Sequence, residues 1–148
     1  MKKIGMYTKR GRIPHLTEVK LNLFDGSYKT GFKLVSFKIA PYNFSAADDS
    51  TALGRLATEE GLALVRETFW DFGDQRQIAW AATNGEGFEA YPQGQESIID
   101  PENLIIEDLY ITALNGGDSD TNYIATFEKY ALEPFQGTLA IVGNMSQG

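Results

Sequence analysis

The chain has 148 residues and a net charge of −7, and 43% of its residues are hydrophobic and 12% aromatic. This composition excludes a disordered chain and predicts one globular domain with its own core. The lack of cysteine excludes disulfides, thiol nucleophiles and thiolate metal sites. It predicts folding in a reducing cytoplasm, or in an assembly that supplies stability by other means. No apolar run is long enough to span a membrane, and the polar residues after the first bases argue against a signal peptide.

The positive charge is concentrated at the start of the chain. Residues 1–38 hold nine bases and two acids, whereas residues 39–148 hold four bases and 18 acids. We interpret residues 1–15, MKKIGMYTKRGRIPH, as an extended basic arm. Its basic residues are Lys2, Lys3, Lys9, Arg10 and Arg12. Such asymmetry is typical of a segment that contacts an anionic partner, although a merely solvated arm is the simpler alternative.

Two strands are predicted directly after the arm. The first is EVKLNLF, in which hydrophobic and polar residues alternate. The second is FKLVSFKIA, and strict alternation would place its hydrophobic residues on both faces. One face would carry Val35, Phe37 and Ile39, and the other Phe32 and Leu34. The turn signal Asp25-Gly26 predicts that the two strands are neighbours.

The segment from Thr58 to Phe69 has two interpretations. Thr58 could cap a short helix whose first turn contains Glu59 and Glu60. The stretch LALVRETFW also suits a buried strand, and periodicity does not separate the two for so short an apolar run. We favour the strand.

The second half of the chain predicts further strands separated by polar loops. RQIAWAA is one strand, and TNGEGFEAYPQGQE is a long polar loop. Leu104–Leu114 and Tyr123–Leu132 are the longest strands and read as a hairpin. GTLAIVG is a last strand. Seven or eight strands with little helix predict an all-β fold. We expect an antiparallel β-sandwich over residues 16–143, for which a jelly roll is one form, and a polar tail at 144–148.

No catalytic constellation is apparent in the sequence. His15 is the one histidine, no nucleophile elbow occurs, and too few ligands exist for zinc. We therefore predict a protein that is not an enzyme and that needs no cofactor.

A calcium loop is the one metal site that the sequence suggests. Asp118, Asp120 and Asn122 match the first three ligand positions of an EF-hand, but Tyr123 replaces its glycine and Lys129 its glutamate. The EF-hand is thereby excluded. A solvated loop is the simpler interpretation, and a looser calcium site remains open.

Exposed aromatic side chains suggest a second class of function. Trp70, in FWDFGD, and Tyr91, in the polar loop, are candidates for stacking on a sugar ring, whereas Trp80 lies in an apolar strand and is predicted to be core. These residues support a carbohydrate-binding β-sandwich as the alternative function.

In overall pattern, the chain resembles the small β-rich capsid and capsid-decoration proteins of bacteriophages. The pattern comprises the basic start MKKIGMYTKRGRIPH, a β-domain without cysteine, and the end GNMSQG. The resemblance implies a structural subunit that folds in the host cytoplasm and resides in the virion. Its expected partners are copies of itself or other virion subunits, with peripheral contact to packaged nucleic acid.

Overall fold

The computed structural model describes residues 2–42, 51–62, 64–84 and 94–132, and within these ranges the regular structure is almost entirely β. The exception is a short 3-10 helix, Arg66–Thr68. The strands are β1 (Lys2–Ile13), β2 (Glu18–Leu21), β3 (Thr30–Pro41), β4 (Ala52–Ala57), β5 (Gln77–Asn84), β6 (Gly94–Ile99), β7 (Leu109–Asn115) and β8 (Thr121–Ala131). In this part of the chain, no helix has the length and hydrophobicity to cross a membrane.

The strands form two antiparallel sheets that pack face to face, which confirms the predicted all-β sandwich. One sheet has the order β1-β8-β3 and the other the order β2-β7-β4-β5-β6. Both sheets contribute to one buried core, where Phe37 and Phe127 of the first sheet meet Leu56 and Ile111 of the second. The pairing is nested, because β1 pairs with β8, β2 with β7, and β4 with β5.

Both predicted strand neighbours are wrong. β2 and β3 belong to different sheets, and so do β7 and β8. The turn signals are real, since Gly26 and Asp118 both have positive φ, but each connection crosses from one sheet to the other. Loops of this length can span the distance between two packed sheets, about 10 Å, so they do not force a hairpin.

The expected free arm is not confirmed, because its residues form β1. This strand pairs with β8 along its length, from Lys2 opposite Ala131 to Ile13 opposite Thr121. Ile13 is fully buried in the core. The basic segment is thus extended, as predicted, but within this chain it is the edge strand of the three-stranded sheet.

The faces predicted for β3 are also wrong, because the strand contains a β-bulge. Its register with β8 shifts between Leu34 and Ser36. The extra residue, Val35, is 42% exposed, while Leu34 and Phe37 on either side are both buried. A bulge reverses the alternation beyond it, so hydrophobic residues from both halves of the strand enter the core.

The side chain of Asn103 holds the edge of β3 beside this bulge. Its Oδ1 accepts the Leu34 N–H at 2.7 Å, and its Nδ2 donates to the Leu34 carbonyl at 3.3 Å and the Asp100 carbonyl at 2.7 Å. Next to it, Phe32 and Ile105 exchange two backbone hydrogen bonds of 2.7 Å. A side-chain amide therefore satisfies backbone groups at the point where the ladder is irregular.

The structure also differs from the predicted elements in three places. The strand favoured for residues 58–69 is absent. The described residues there form an irregular segment that includes the 3-10 helix, and its Leu62 and Phe69 side chains are buried against the five-stranded sheet. β4 is not among the strands that the sequence predicts, and β6 occupies part of the expected polar loop. The strand GTLAIVG and the tail 144–148 lie outside the described residues.

We expect Asn103→Ala to destabilise the fold by about 2–3 kcal/mol, because it leaves the buried N–H of Leu34 without a partner. Chemical denaturation of the two proteins would measure the difference. Asn22→Ala, which changes an exposed asparagine, is the matched control and should have little effect. Equal stability of Asn103→Ala and the parent chain would contradict this role.

Candidate functional site

The outer face of the three-stranded sheet gathers most of the basic residues of its strands. β8 lies between β1 and β3, and its inward residues Ala125 and Phe127 are fully buried, so the residues between them point outward. The cross-strand partners of these outward residues share their face. We call this surface the basic face. Its bases are Lys3, Arg10, Arg12, Lys33 and Lys38.

Two bulges bring these bases onto one face. Lys38 is five positions after Lys33, an odd offset that would place the two on opposite faces of a regular strand. The bulge at Val35 aligns them. A second register shift, between Lys3 and Gly5, does the same for Lys3 and Arg10.

Hydrophobic side chains lie among the bases. Ile124 is 41% exposed and has Arg10 and Lys38 as its two cross-strand partners. Met6, in the same sheet, is 55% exposed. An apolar centre with a charged rim is the usual composition of a protein–protein interface.

An open groove of about 660 Å³ crosses this face near Ile124. Arg10 and Lys38 line its sides and the Tyr42 ring adds aromatic surface, whereas the Tyr123 ring, like Ala125 and Phe127, points inward from β8. Gly11 makes room for the Tyr123 ring, because a Cβ there would lie 3.2 Å from the ring. Burial raises the pKa of Tyr123, an effect that Lys9 partly offsets, so the phenol stays neutral.

The basic residues of this face differ in whether they form an ion pair within the chain. Lys3 Nζ lies 2.8 Å from Glu128 Oε2, and this hydrogen bond raises the pKa of Lys3 and lowers that of Glu128. Arg12 lies 3.2 Å from Asp120 and 4.3 Å from the centre of the Tyr42 ring. Within the described ranges, Arg10, Lys33 and Lys38 form no ion pair. Lys33 nevertheless lies opposite Glu128 and contributes to lowering its pKa, so the charges most available to a partner are those of Arg10 and Lys38.

The two other predicted basic residues lie off this face. Lys9 is on the opposite side of β1, with its Nζ 5.5 Å from the centre of the Tyr7 ring. Lys2 is exposed at the beginning of β1. The structure thus brings Lys3, Arg10 and Arg12 together and adds Lys33 and Lys38, which sequence alternation alone would have separated.

The opposite side of the sandwich is acidic. Residues 58–62 and 64–76, which we call the acidic cover, lie on the outer face of the five-stranded sheet. Trp70 Nε1 donates to the Gly54 carbonyl at 3.1 Å, and the buried Arg55 donates to the Phe69 carbonyl at 2.9 Å. Burial lowers the pKa of Arg55. The exposed acids of the cover are Glu59, Glu60, Glu67 and Asp71.

An aromatic cluster lies within this cover. Trp80 is buried, as predicted, and its ring is nearly perpendicular to that of Phe72, with 4.6 Å between the ring centres. Trp70 is half-buried, and its ring stacks on that of Phe72 with 6.4 Å between the ring centres. Phe72 is 61% exposed and is therefore the most accessible ring of the cluster, although the sequence analysis did not select it. Tyr91 lies outside the described residues.

The predicted calcium ligands each have a different partner. Asp118 lies 3.2 Å from His15 Nε2, Asp120 pairs with Arg12, and Asn122 donates to the Pro41 carbonyl at 3.5 Å. His15 is itself fixed, because its Nδ1 accepts the N–H of Asn115. The described residues hold no group of three or more histidine, aspartate or glutamate side chains arranged for a metal.

Comparisons with family models, curated proteins and solved structures give no match to this chain.

We expect calcium to leave the melting temperature unchanged relative to EDTA, because Asp118 and Asp120 already face basic groups. Differential scanning fluorimetry of the parent chain and of Asp120→Asn would test this. A rise in melting temperature that requires calcium and disappears in Asp120→Asn would instead establish a calcium site.

Proposed function

We propose that this chain is a non-enzymatic structural subunit of a virus particle, in a capsid, minor capsid or decoration role, that attaches to its neighbours through complementary charge. One observation carries the proposal. Arg10 and Lys38, which form no ion pair in the described residues, share one open sheet face with Lys33, while exposed acids lie on the opposite side of a protein of net charge −7. Complementary potentials set the register and the rate of such association.

The strand order supports a jelly roll as the form of the sandwich. In a jelly roll, a long hairpin folds over, so that first and last, second and seventh, third and sixth, and fourth and fifth strands lie together. β1 with β8, β2 with β7 and β4 with β5 follow this scheme. β6 stays in the five-stranded sheet, but its Ser97 donates to the Phe37 carbonyl of β3 at 2.6 Å. Jelly rolls are frequent in viral capsid proteins and in lectins.

A protein neighbour suits the basic face better than packaged nucleic acid does. Dedicated nucleic-acid surfaces carry positive charge over a whole face, whereas Glu128 and Asp120 lie within or beside this one. The net charge of −7 would also repel a polyanion at longer range. Hydrophobic Ile124 and Met6 favour a protein partner as well.

We expect the purified chain to form species larger than the monomer, and Arg10→Glu/Lys38→Glu to be monomeric at the same concentration, as measured by light scattering. Deleting residues 2–12 would be a poorer test, because it removes a strand of the sheet. Lys2→Glu/Lys29→Glu makes the same change in net charge at two exposed residues away from both the basic face and the acidic cover, and should still assemble.

A parent chain that is monomeric at every concentration would overturn the structural role. If Arg10→Glu/Lys38→Glu kept the mass of the parent but lost binding to a DNA oligonucleotide, the basic face would serve packaged nucleic acid rather than a neighbouring subunit.

The alternative, a carbohydrate-binding module, is favoured by the exposed ring of Phe72, which packs against the rings of Trp70 and Trp80. Such a ring can stack on a sugar. If this is its role, a glycan array should show saturable binding that Phe72→Ala abolishes. Phe72 is a better position for this test than Trp70, because the Trp70 indole N–H donates a hydrogen bond to the Gly54 carbonyl and its loss would also disturb the fold. Absence of any bound glycan would remove this alternative.

A further inference from the structure

We infer that the partner of the basic face is the acidic cover of a second copy of this chain, with the Phe72 side chain of one copy seated in the groove of the other. This inference rests on the proposed structural role and identifies the two surfaces that meet.

The groove has the chemistry to accept an aromatic side chain bordered by acids. Its floor includes Ile124 and Ala40, and Arg10 and Lys38 stand on either side. Neither base has an ion-pair partner in the part of the chain that the structure describes. A carboxylate from another chain could therefore pair with each base without breaking an existing contact.

The acidic cover has the complementary arrangement. Phe72 projects with 61% of its surface exposed, and Asp71 and Glu67 lie close to it along the chain. The Phe72 ring is held in position by its packing against the rings of Trp70 and Trp80. A rigid, exposed aromatic ring is the type of side chain that contributes most to protein interfaces.

Charge also disfavours the simplest alternative, in which two copies pair through their β1 edges. Only one edge of β1 is paired in the described residues. An antiparallel pair of β1 strands would bring the bases of both copies together, and like charges in facing positions destabilise a sheet. Bases on an edge strand are a known protection against such pairing.

Contact between two different surfaces has a consequence for assembly. A head-to-tail interface leaves one basic face and one acidic cover free at the ends, so further copies can add. Such contacts generate rings when the rotation closes and open arrays when it does not. Both are suited to a subunit that occurs in many copies.

The test uses two charge-reversed variants of the full chain. Arg10→Glu/Lys38→Glu makes the basic face acidic, and Glu60→Lys/Glu67→Lys makes the cover basic. Glu60 and Glu67 are exposed, and they form no ion pair in the described residues. We expect each variant alone to lose association, with an apparent dissociation constant raised about tenfold or more.

Mixing the two variants should restore assembly, because each reversed surface then meets its complement. Analytical ultracentrifugation of each variant and of the equimolar mixture would measure this. Phe72→Ala should also weaken association, whereas Tyr28→Ala, which removes an aromatic ring that is 48% exposed elsewhere on the surface, should not.

The outcomes separate the inference from the proposed function. If the parent chain assembles and Glu60→Lys/Glu67→Lys assembles equally well, or if the mixture stays monomeric, the acidic cover is not the partner and only the inference fails. If the parent chain never assembles, the structural role fails.

Discussion

The β-bulge at Val35 is the constraint on which the core and the candidate interface both depend. It reverses the alternation of β3, so that Leu34 and Phe37 both enter the core. The same reversal places Lys33 and Lys38 together on the outer face. Without the bulge, one half of the strand would expose its hydrophobic residues and bury a lysine, which is costly without a charged partner. Asn103 stabilises this irregularity by pairing with the backbone of Leu34.

The sandwich separates charge because each sheet has one outer side. The three-stranded sheet presents bases around Ile124, while the five-stranded sheet carries the acidic cover. The cover is fixed from beneath by Arg55 and Trp70, which donate to backbone carbonyls. The guanidinium of Arg55 also lies 4.5 Å from the centre of the Phe69 ring. The acids therefore lie on a segment with defined contacts, and the charge asymmetry of the sequence becomes an asymmetry between two opposite surfaces.

The structure changes the meaning of the basic N-terminal segment. As a free arm, its five bases would be equivalent charges on a flexible tether. As strand β1, it divides them, because Lys3, Arg10 and Arg12 face outward while Lys9 lies beside Tyr7 on the other side. It therefore presents a fixed pattern of charges beside a groove. Residues of β3 that sequence reasoning left out, Lys33 and Lys38, complete that pattern.

The sequence by itself determined the all-β class, the approximate position of several strands, and the concentration of positive charge near one end. These properties follow from alternation, turn residues and composition, which are local or additive. Only the tertiary structure decided which strands pair, because β1 meets β8 and β2 meets β7 from far along the chain, and turn signals do not specify such partners. It also decided the faces of β1 and β3. The hydrophobic residues of β3 change phase along the sequence, but only the pairing with β8 shows that a bulge at Val35 brings them to one face.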